Sequence, residues 1–506
     1  MSRTKNSIKN IIFAFGFQGI STLISFVTRT ALVKTVGLEA ISLNGLFTEV
    51  IAMLSLTEMG VGTAIIYNLY KPLAQKDYHK VGQLMNLFKK AYFMIAALSF
   101  AVGLALAPWI QYLVKDIGYD VRYIRLVYML FVVRTSSSYL FSYKVSLLNA
   151  DQKKYVASTI TAIVKIIGTI IFVAVLVTTH NYVAFLVANI IVTLAVNVCI
   201  AKYVDKQYPF IKETDSLPAS ERKQVFSNIK NIFIRTLSGK ITNSTDNILI
   251  SALVGTLQVG LYSNYALFLT FLKQLSVQLI GGVAGSLGNL MVTETGEYCS
   301  RTLKRLTFIF YFAGSILTMG FFGCLTSAIR IWIGDSYVMP QEIVLIFCFV
   351  MFLEFITRPL WEIMTVSGLF QKDRNISITG SIVNLIMSVI LGKQIGMAGI
   401  FIGTICTYAI QVILKIRLLY REKLKIEAFS YYALWAKMCG IMFILMLVMF
   451  AIQKILVVEN AWAAFFVYGT ISVLLALVVN IVVFYKKDEF TYAVKLATKK
   501  FVKKII

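Results

Sequence analysis

The residues of this chain that could do chemistry are charged side chains set inside apolar runs. In the first run Gln18, Thr22, Ser25 and Arg29 recur at i, i+4, i+7 and i+11, which is one face of a helix. Arg134 stands in the fourth run with Ser137 and Ser138 one turn on, and Lys165 stands in the fifth. The seventh carries Arg235, then Lys240, Asn243 and Asn247 on one face with Asp246 beside them, and the eighth carries Lys273, Gln274 and Gln278. In the tenth, Glu354 and Arg358 are spaced i to i+4 with the acid first, Pro359 follows, and Glu362 lies a further turn along. Glu58, in the second run, is followed by Gly60 and Gly62.

An ionisable group held in hydrocarbon is costly unless it faces a partner or a water-filled cavity, so each of these is a candidate functional residue. Arg29, Arg134, Lys165, Lys240, Lys273 and Arg358 form a candidate substrate-binding set, and Glu58, Asp246, Glu354 and Glu362 a set of coupling or structural acids. Cations lining a cavity favour an anionic ligand, whose charge offsets the cost of keeping them from bulk water. Phosphate or diphosphate fits, and the interspersed Ser, Thr, Asn, Gln and Tyr would suit sugar hydroxyls. Plainer readings stand beside these. Glu354 and Arg358 can satisfy each other, Lys144 and Arg235 can snorkel to the inner boundary, Asp246 can neutralise Lys240, and Glu58 can mark a packing point.

The elements that must position these groups are membrane-spanning helices. The chain has 506 residues, 58% hydrophobic and 14% charged, with a mean hydropathy of +0.77, too apolar for a surface that only water solvates. Apolar runs of roughly 20 residues recur almost end to end and predict an all-α polytopic protein of about fourteen spans. The 49 Lys plus Arg against 24 Asp plus Glu give +25. That charge gathers in alternate loops, as the positive-inside rule requires, so nucleic acid is not needed to explain it. The rule places both termini in the cytoplasm. Trp109, Trp332 and Trp462 fall at expected outer ends and Trp435 at an inner one, as interfacial anchors do. Cys199, Cys299, Cys324, Cys348, Cys406 and Cys439 show no metal or redox spacing and read as packing residues. The first run continues into a full span and lacks a cleavage site.

A polar segment at 203–225 separates a six-helix lobe at 1–202 from a second at 226–420, and 421–506 adds two helices and a basic tail. The lobes repeat weakly. Gln152-Lys153, Ser158 and Ile163-Val164 recur as Gln371-Lys372, Ser377 and Ile382-Val383, and Gly37 with Leu43 recurs as Gly255 with Leu261. An even number of helices per copy makes this a parallel repeat, two bundles facing a central cavity.

The run Ser42-Leu43-Asn44-Gly45-Leu46-Phe47, then Leu54 to Gly62 and Leu69-Tyr70-Lys71-Pro72, resembles the Wzx-type oligosaccharide flippases of the multidrug/oligosaccharidyl-lipid/polysaccharide superfamily. Asn243-Ser244-Thr245-Asp246-Asn247 and Tyr262-Ser263-Asn264-Tyr265 are similar to the same group, notably its Gram-positive capsule and exopolysaccharide branch. The resemblance implies a transporter, not an enzyme, in the bacterial cytoplasmic membrane. It would move a polyprenyl-diphosphate-linked oligosaccharide from the inner to the outer leaflet for capsule or exopolysaccharide assembly. It implies that Arg29 helps hold the diphosphate, and Glu58 matches a Glu-Gly pattern one residue removed. No cofactor is expected; sodium or proton coupling occurs in relatives, and no residue here identifies a coupling site. The expected partners are the lipid-linked substrate, membrane lipids, and the polymerase and glycosyltransferases of the same pathway. A lipid II flippase and a cation-coupled multidrug exporter share this superfamily. A membrane-embedded glycosyltransferase or polymerase would need a long outer loop or a carboxylate-rich segment, and the sequence shows neither.

Overall fold

The structure, a computed structural model, describes residues 3–54, 61–212, 216–219, 221–222, 225, 246–281 and 283–505; within these, the side chains of 3–18, 20, 54, 61, 63–64, 212, 370–371 and 497–505 are not described. By packing, the chain divides into two compact units, Met1–Gly260 and Leu261–Ile506.

In the first unit α1 (Arg3–Leu54) is broken at Gly37, whose φ of 78° lies in the region that a side chain disfavours, so the helix changes direction there. Then come α2 (Val61–Gln75), α3 (Tyr78–Leu106), α4 (Val121–Ala150), α5 (Lys154–Thr179) and α6 (Tyr182–Gln207). Their starts are set by short polar side chains that accept from otherwise unsatisfied amides. Asp77 accepts from the Lys80 amide at 2.9 Å, and Asn181 accepts from those of Val183 and Ala184 at 2.8 and 3.2 Å. A core gathers between α2, α3, α4 and α6, around Leu69, Phe88, Leu147 and Val204, and α1 packs on α4 with Phe47 edge-on to Tyr128 at 5.5 Å and to Phe131 at 6.0 Å. The short α7 (Asp246–Leu249) widens into a π turn and stops at Gly255, φ 145°. Next, α8 (Thr256–Gly281) begins against the loop after α3, the Thr256 hydroxyl accepting from the Lys115 amide at 2.7 Å.

The second unit holds the rest of α8, then α9 (Ala284–Thr293), α10 (Gly296–Ile333), α11 (Gln341–Ile356), α12 (Arg358–Val366), α13 (Phe370–Ile395), α14 (Met397–Leu419), α15 (Phe429–Ile455), α16 (Ala461–Phe484) and α17 (Asp488–Ile505). Helices α10 and α16 pack through small residues and a buried polar set. Tyr311 donates to Asn480 at 2.5 Å, and Asn480 donates to Ser315 at 2.9 Å. The hairpin of α13 and α14 closes over Gly399, where an added methyl group would fall on the backbone carbonyl of Leu391. That carbonyl cannot retreat without opening α13. Gly399→Ala should therefore lower the unfolding midpoint of the detergent-purified protein, by the ~1–3 kcal/mol of an overpacked contact. Gly440→Ala, with no atom within 4 Å of the added carbon, should leave it unchanged.

The sequence repeat is repeated in the elements. Helices starting at Tyr78, Val121, Lys154 and Tyr182 answer to those starting at Gly296, Gln341, Phe370 and Met397, an offset of 215 to 220 residues. The paired glycines Gly37 and Gly255 both break their helices at positive φ. Among the described residues ten helices are long and apolar enough to cross a membrane, eleven if α8 and α9, bent by 47°, form one span. The protein is an all-α, multi-pass membrane protein. The remaining expected spans have separate explanations. The second runs on from the first through Gly37, and part of it and most of the seventh lie outside the described residues. In α4 the centre carries Arg134, Thr135 and three serines, which lowers its hydropathy.

Candidate functional site

Within the first unit, Arg29 is buried on α1, and its guanidinium donates to the Gly260 carbonyl at 3.4 Å. Arg134 sits near the middle of α4, donates to the Asn189 side chain of α6 at 3.4 Å, and lies over the Phe131 ring at 4.8 Å. Lys165 of α5 is within electrostatic reach of Arg134. It is solvent-accessible yet shares a helix face with the buried Thr169, Phe172 and Leu176, opposite the exposed Ile163, Ile167 and Ile170. It therefore points away from the side that carries the exposed isoleucines.

No carboxylate among the described residues forms an ion pair with Arg134 or Lys165. Beside them, at the start of α6, the Tyr182 hydroxyl is buried with no hydrogen-bond partner, within electrostatic reach of both Arg134 and Arg29. A buried, unpartnered donor next to two cations is an arrangement that an anion completes. Tyr182 had no sequence signal, since a tyrosine at the end of an apolar run reads as an interfacial anchor.

Within the second unit the charges are arranged differently. Glu354, buried at the end of α11, accepts from Arg358 and from the Tyr408 hydroxyl of α14, and Lys273 of α8 lies 3.8 Å from it. Thr357 separates α11 from α12, with Pro359 in the first turn of α12, so Arg358 and Glu354 meet across a helix break. The Arg358 Nε is buried with no partner, and Glu362 is within electrostatic reach of it. Glu354 and Arg358, expected as a pair, form one here; the additions of Lys273 and Tyr408 come from helices remote in sequence.

Asp246 lies in the first turn of α7, where its neighbour Asn247 is buried and donates to the Gly45 carbonyl at 3.3 Å. Lys240 and Glu58 lie outside the described residues. Lys144, read as able to snorkel, is instead buried and paired with Asp205 at 2.7 Å. Likewise Lys415 is buried on Asp373 at 2.5 Å and lies over the Trp361 ring at 4.6 Å. These are structural pairs.

Repeated helix order, broken helices and charges set within apolar helices define the class: a polytopic α-helical membrane protein. The model of the polysaccharide biosynthesis protein family matches residues 7–284, and the chain belongs to that family. No curated protein sequence matches it. Among solved structures it is similar in fold to the lipid II flippase MurJ in an inward closed conformation, with TM-score 0.70 and 13% identity over 94% of this chain and 99% of that one. It is also similar to an inward-facing multidrug resistance MATE family transporter of the MOP superfamily, with TM-score 0.58 and 12% identity over 80% of this chain and 94% of the other. A point mutant of the Vibrio cholerae MATE transporter VcmN aligns with TM-score 0.56 and 13% identity over 83% of this chain and 99% of that one.

Proposed function

We propose that this protein is a flippase that carries polyprenyl-diphosphate-linked oligosaccharide repeat units from the inner to the outer leaflet of the cytoplasmic membrane, for capsule or exopolysaccharide assembly. The observation that carries this reading is the pair Arg134 and Lys165, two cations that no acid among the described residues pairs with, beside the unpartnered Tyr182 hydroxyl. Mutual repulsion makes that pair costly when empty and favourable when an anion bridges it. A diphosphate supplies two negative groups, one for each cation, and family membership supplies the sugar-polymer context. A cation-coupled exporter of cationic drugs would be poorly served by such a site.

The proposed cycle is alternating access, the two halves opening in turn to either side while the prenyl chain stays in lipid. Arg29, Arg134, Lys165, Lys240, Lys273 and Arg358 remain the proposed contact set. Glu58, Asp246, Glu354 and Glu362 remain the acids through which sodium or proton coupling would act. Depletion of the protein should lower surface polysaccharide and cause a lipid-linked repeat unit to accumulate in the inner leaflet, as read by chemical analysis of extracted lipids. Depletion without accumulation would remove the proposal. Likeness in fold to MurJ favours a second reading, a lipid II flippase. Rescue of a strain lacking that activity would establish it, and no rescue is expected.

A further inference from the structure

The last helix, α17, starts four residues after the final apolar helix α16 ends at Phe484, so its root lies at a membrane face. It is too polar to span. By sequence spacing Phe490, Val494, Ala497, Phe501 and Ile505 share one face, while Lys495, Lys499 and Lys503 share the opposite one. Its root is fastened to α10. Arg305 donates to both carboxylate oxygens of Asp488 at 2.9 and 3.0 Å and lies over the Tyr492 ring at 4.5 Å. Phe490 packs edge-on against Phe308 and Phe312, each at 6.2 Å. The Arg305 guanidinium holds the Asp488 carboxyl below the usual carboxylate range, so the clasp is charged at neutral pH.

Beyond this anchored turn, Val494 and Leu496 are exposed although apolar. A helix with a basic face, an apolar face and a root at the bilayer boundary lies in the interface plane. We propose that α17 is an interfacial helix that binds the anionic phospholipid headgroups of the membrane surface next to it, the cytoplasmic leaflet by the positive-inside rule. Its occupant is argued from charge. Lys486, Lys487, Lys495, Lys499, Lys500, Lys503 and Lys504 stand within or just before the helix against only Asp488 and Glu489, and Asp488 is already engaged. The Arg305 clasp then links lipid occupancy to α10, a spanning helix of the second unit. The inference concerns the membrane, not the transported substrate, and stands independently of it.

The test is hydrogen–deuterium exchange of the 488–505 segment in the full-length protein, in nanodiscs of phosphatidylcholine alone or with about one third phosphatidylglycerol. Each lysine near an anionic surface contributes about fivefold in binding. Phosphatidylglycerol should therefore slow exchange at least tenfold, and ~0.5 M salt should remove most of that protection, since it shortens the screening length to about half its value at ~0.15 M. Replacing Lys495, Lys499 and Lys503 together by Gln should remove most of the lipid dependence while leaving the phosphatidylcholine value unchanged. Asp488→Ala should speed exchange equally in both lipids, which separates docking from lipid binding. Equal exchange of the unaltered protein in both discs would overturn the proposal. So would protection that follows the number of protein copies per disc, which would assign the face to a second copy of this chain.

Discussion

Arg134→Glu is expected to abolish surface polysaccharide while the amount of folded protein in the membrane stays at the unaltered level. The asymmetry follows from how Arg134 is held. Its contacts are a 3.4 Å hydrogen bond to the Asn189 amide and a face-on approach to Phe131. Removing it strands no buried acid among the described residues, so the stability cost is small; the glutamate would even attract Lys165. For an anionic substrate the effect is the opposite. A charge-assisted hydrogen bond contributes about 1.5–3 kcal/mol, roughly ten- to a hundredfold in binding, and the reversed charge adds repulsion. Arg134→Lys should keep most of the transport, since the cation remains and only its forked geometry is lost. Both are read by quantifying surface polysaccharide alongside an immunoblot of the membrane fraction. Normal polysaccharide in the Arg134→Glu strain would remove this residue from the site.

The fold was largely legible because a bilayer imposes a length and a polarity on each element. Gly37 and Gly255, matched in the sequence by an offset alone, both break helices at positive φ. What periodicity could not show was where a helix breaks inside an apolar run. The eighth run reads as continuous over 258 to 290, yet α8 ends at Gly281 and α9 begins at Ala284. The tenth is interrupted at Thr357, and there the sequence did hold a signal in Pro359. For the charges, depth in a run identified the residues but not their partners. Lys144 and Lys273 look alike in sequence. One is neutralised by Asp205 some sixty residues on, and the other shares Glu354 with Arg358. Ion pairs between distant helices are set by packing, which no local spacing encodes. Tyr182 and Tyr408 escaped for the same reason.

Glu354→Gln is expected to produce a large loss of stability in the second unit. The amide matches the carboxylate in shape but keeps a single acceptor oxygen, so the change removes the charge together with one of the two bonds that Arg358 and Tyr408 donate to Glu354. It removes the carboxylate that Arg358 and Lys273 share. The side chains of Glu354 and Arg358 are only 10% and 19% exposed, whereas that of Lys273 is 40% exposed and reaches water. Most of the penalty therefore falls on Arg358, and breaking a buried pair by removing one partner costs about 3–5 kcal/mol. The expected result is a large drop in the unfolding midpoint and in the yield of monodisperse protein. Glu354→Gln combined with Arg358→Met removes both charges and should recover most of the loss, because a pair replaced as a whole is often close to neutral. An unchanged midpoint in the single variant would mean that the pair is hydrated and contributes little. The double variant then separates stability from transport. If it folds as well as the unaltered protein but carries no substrate, the cluster at the α11–α12 break serves the anion as well as the fold. If it folds and transports normally, Arg358 leaves the contact set, and the substrate's charge must be met by other cations, with Arg134 and Lys165 the pair that no acid among the described residues neutralises.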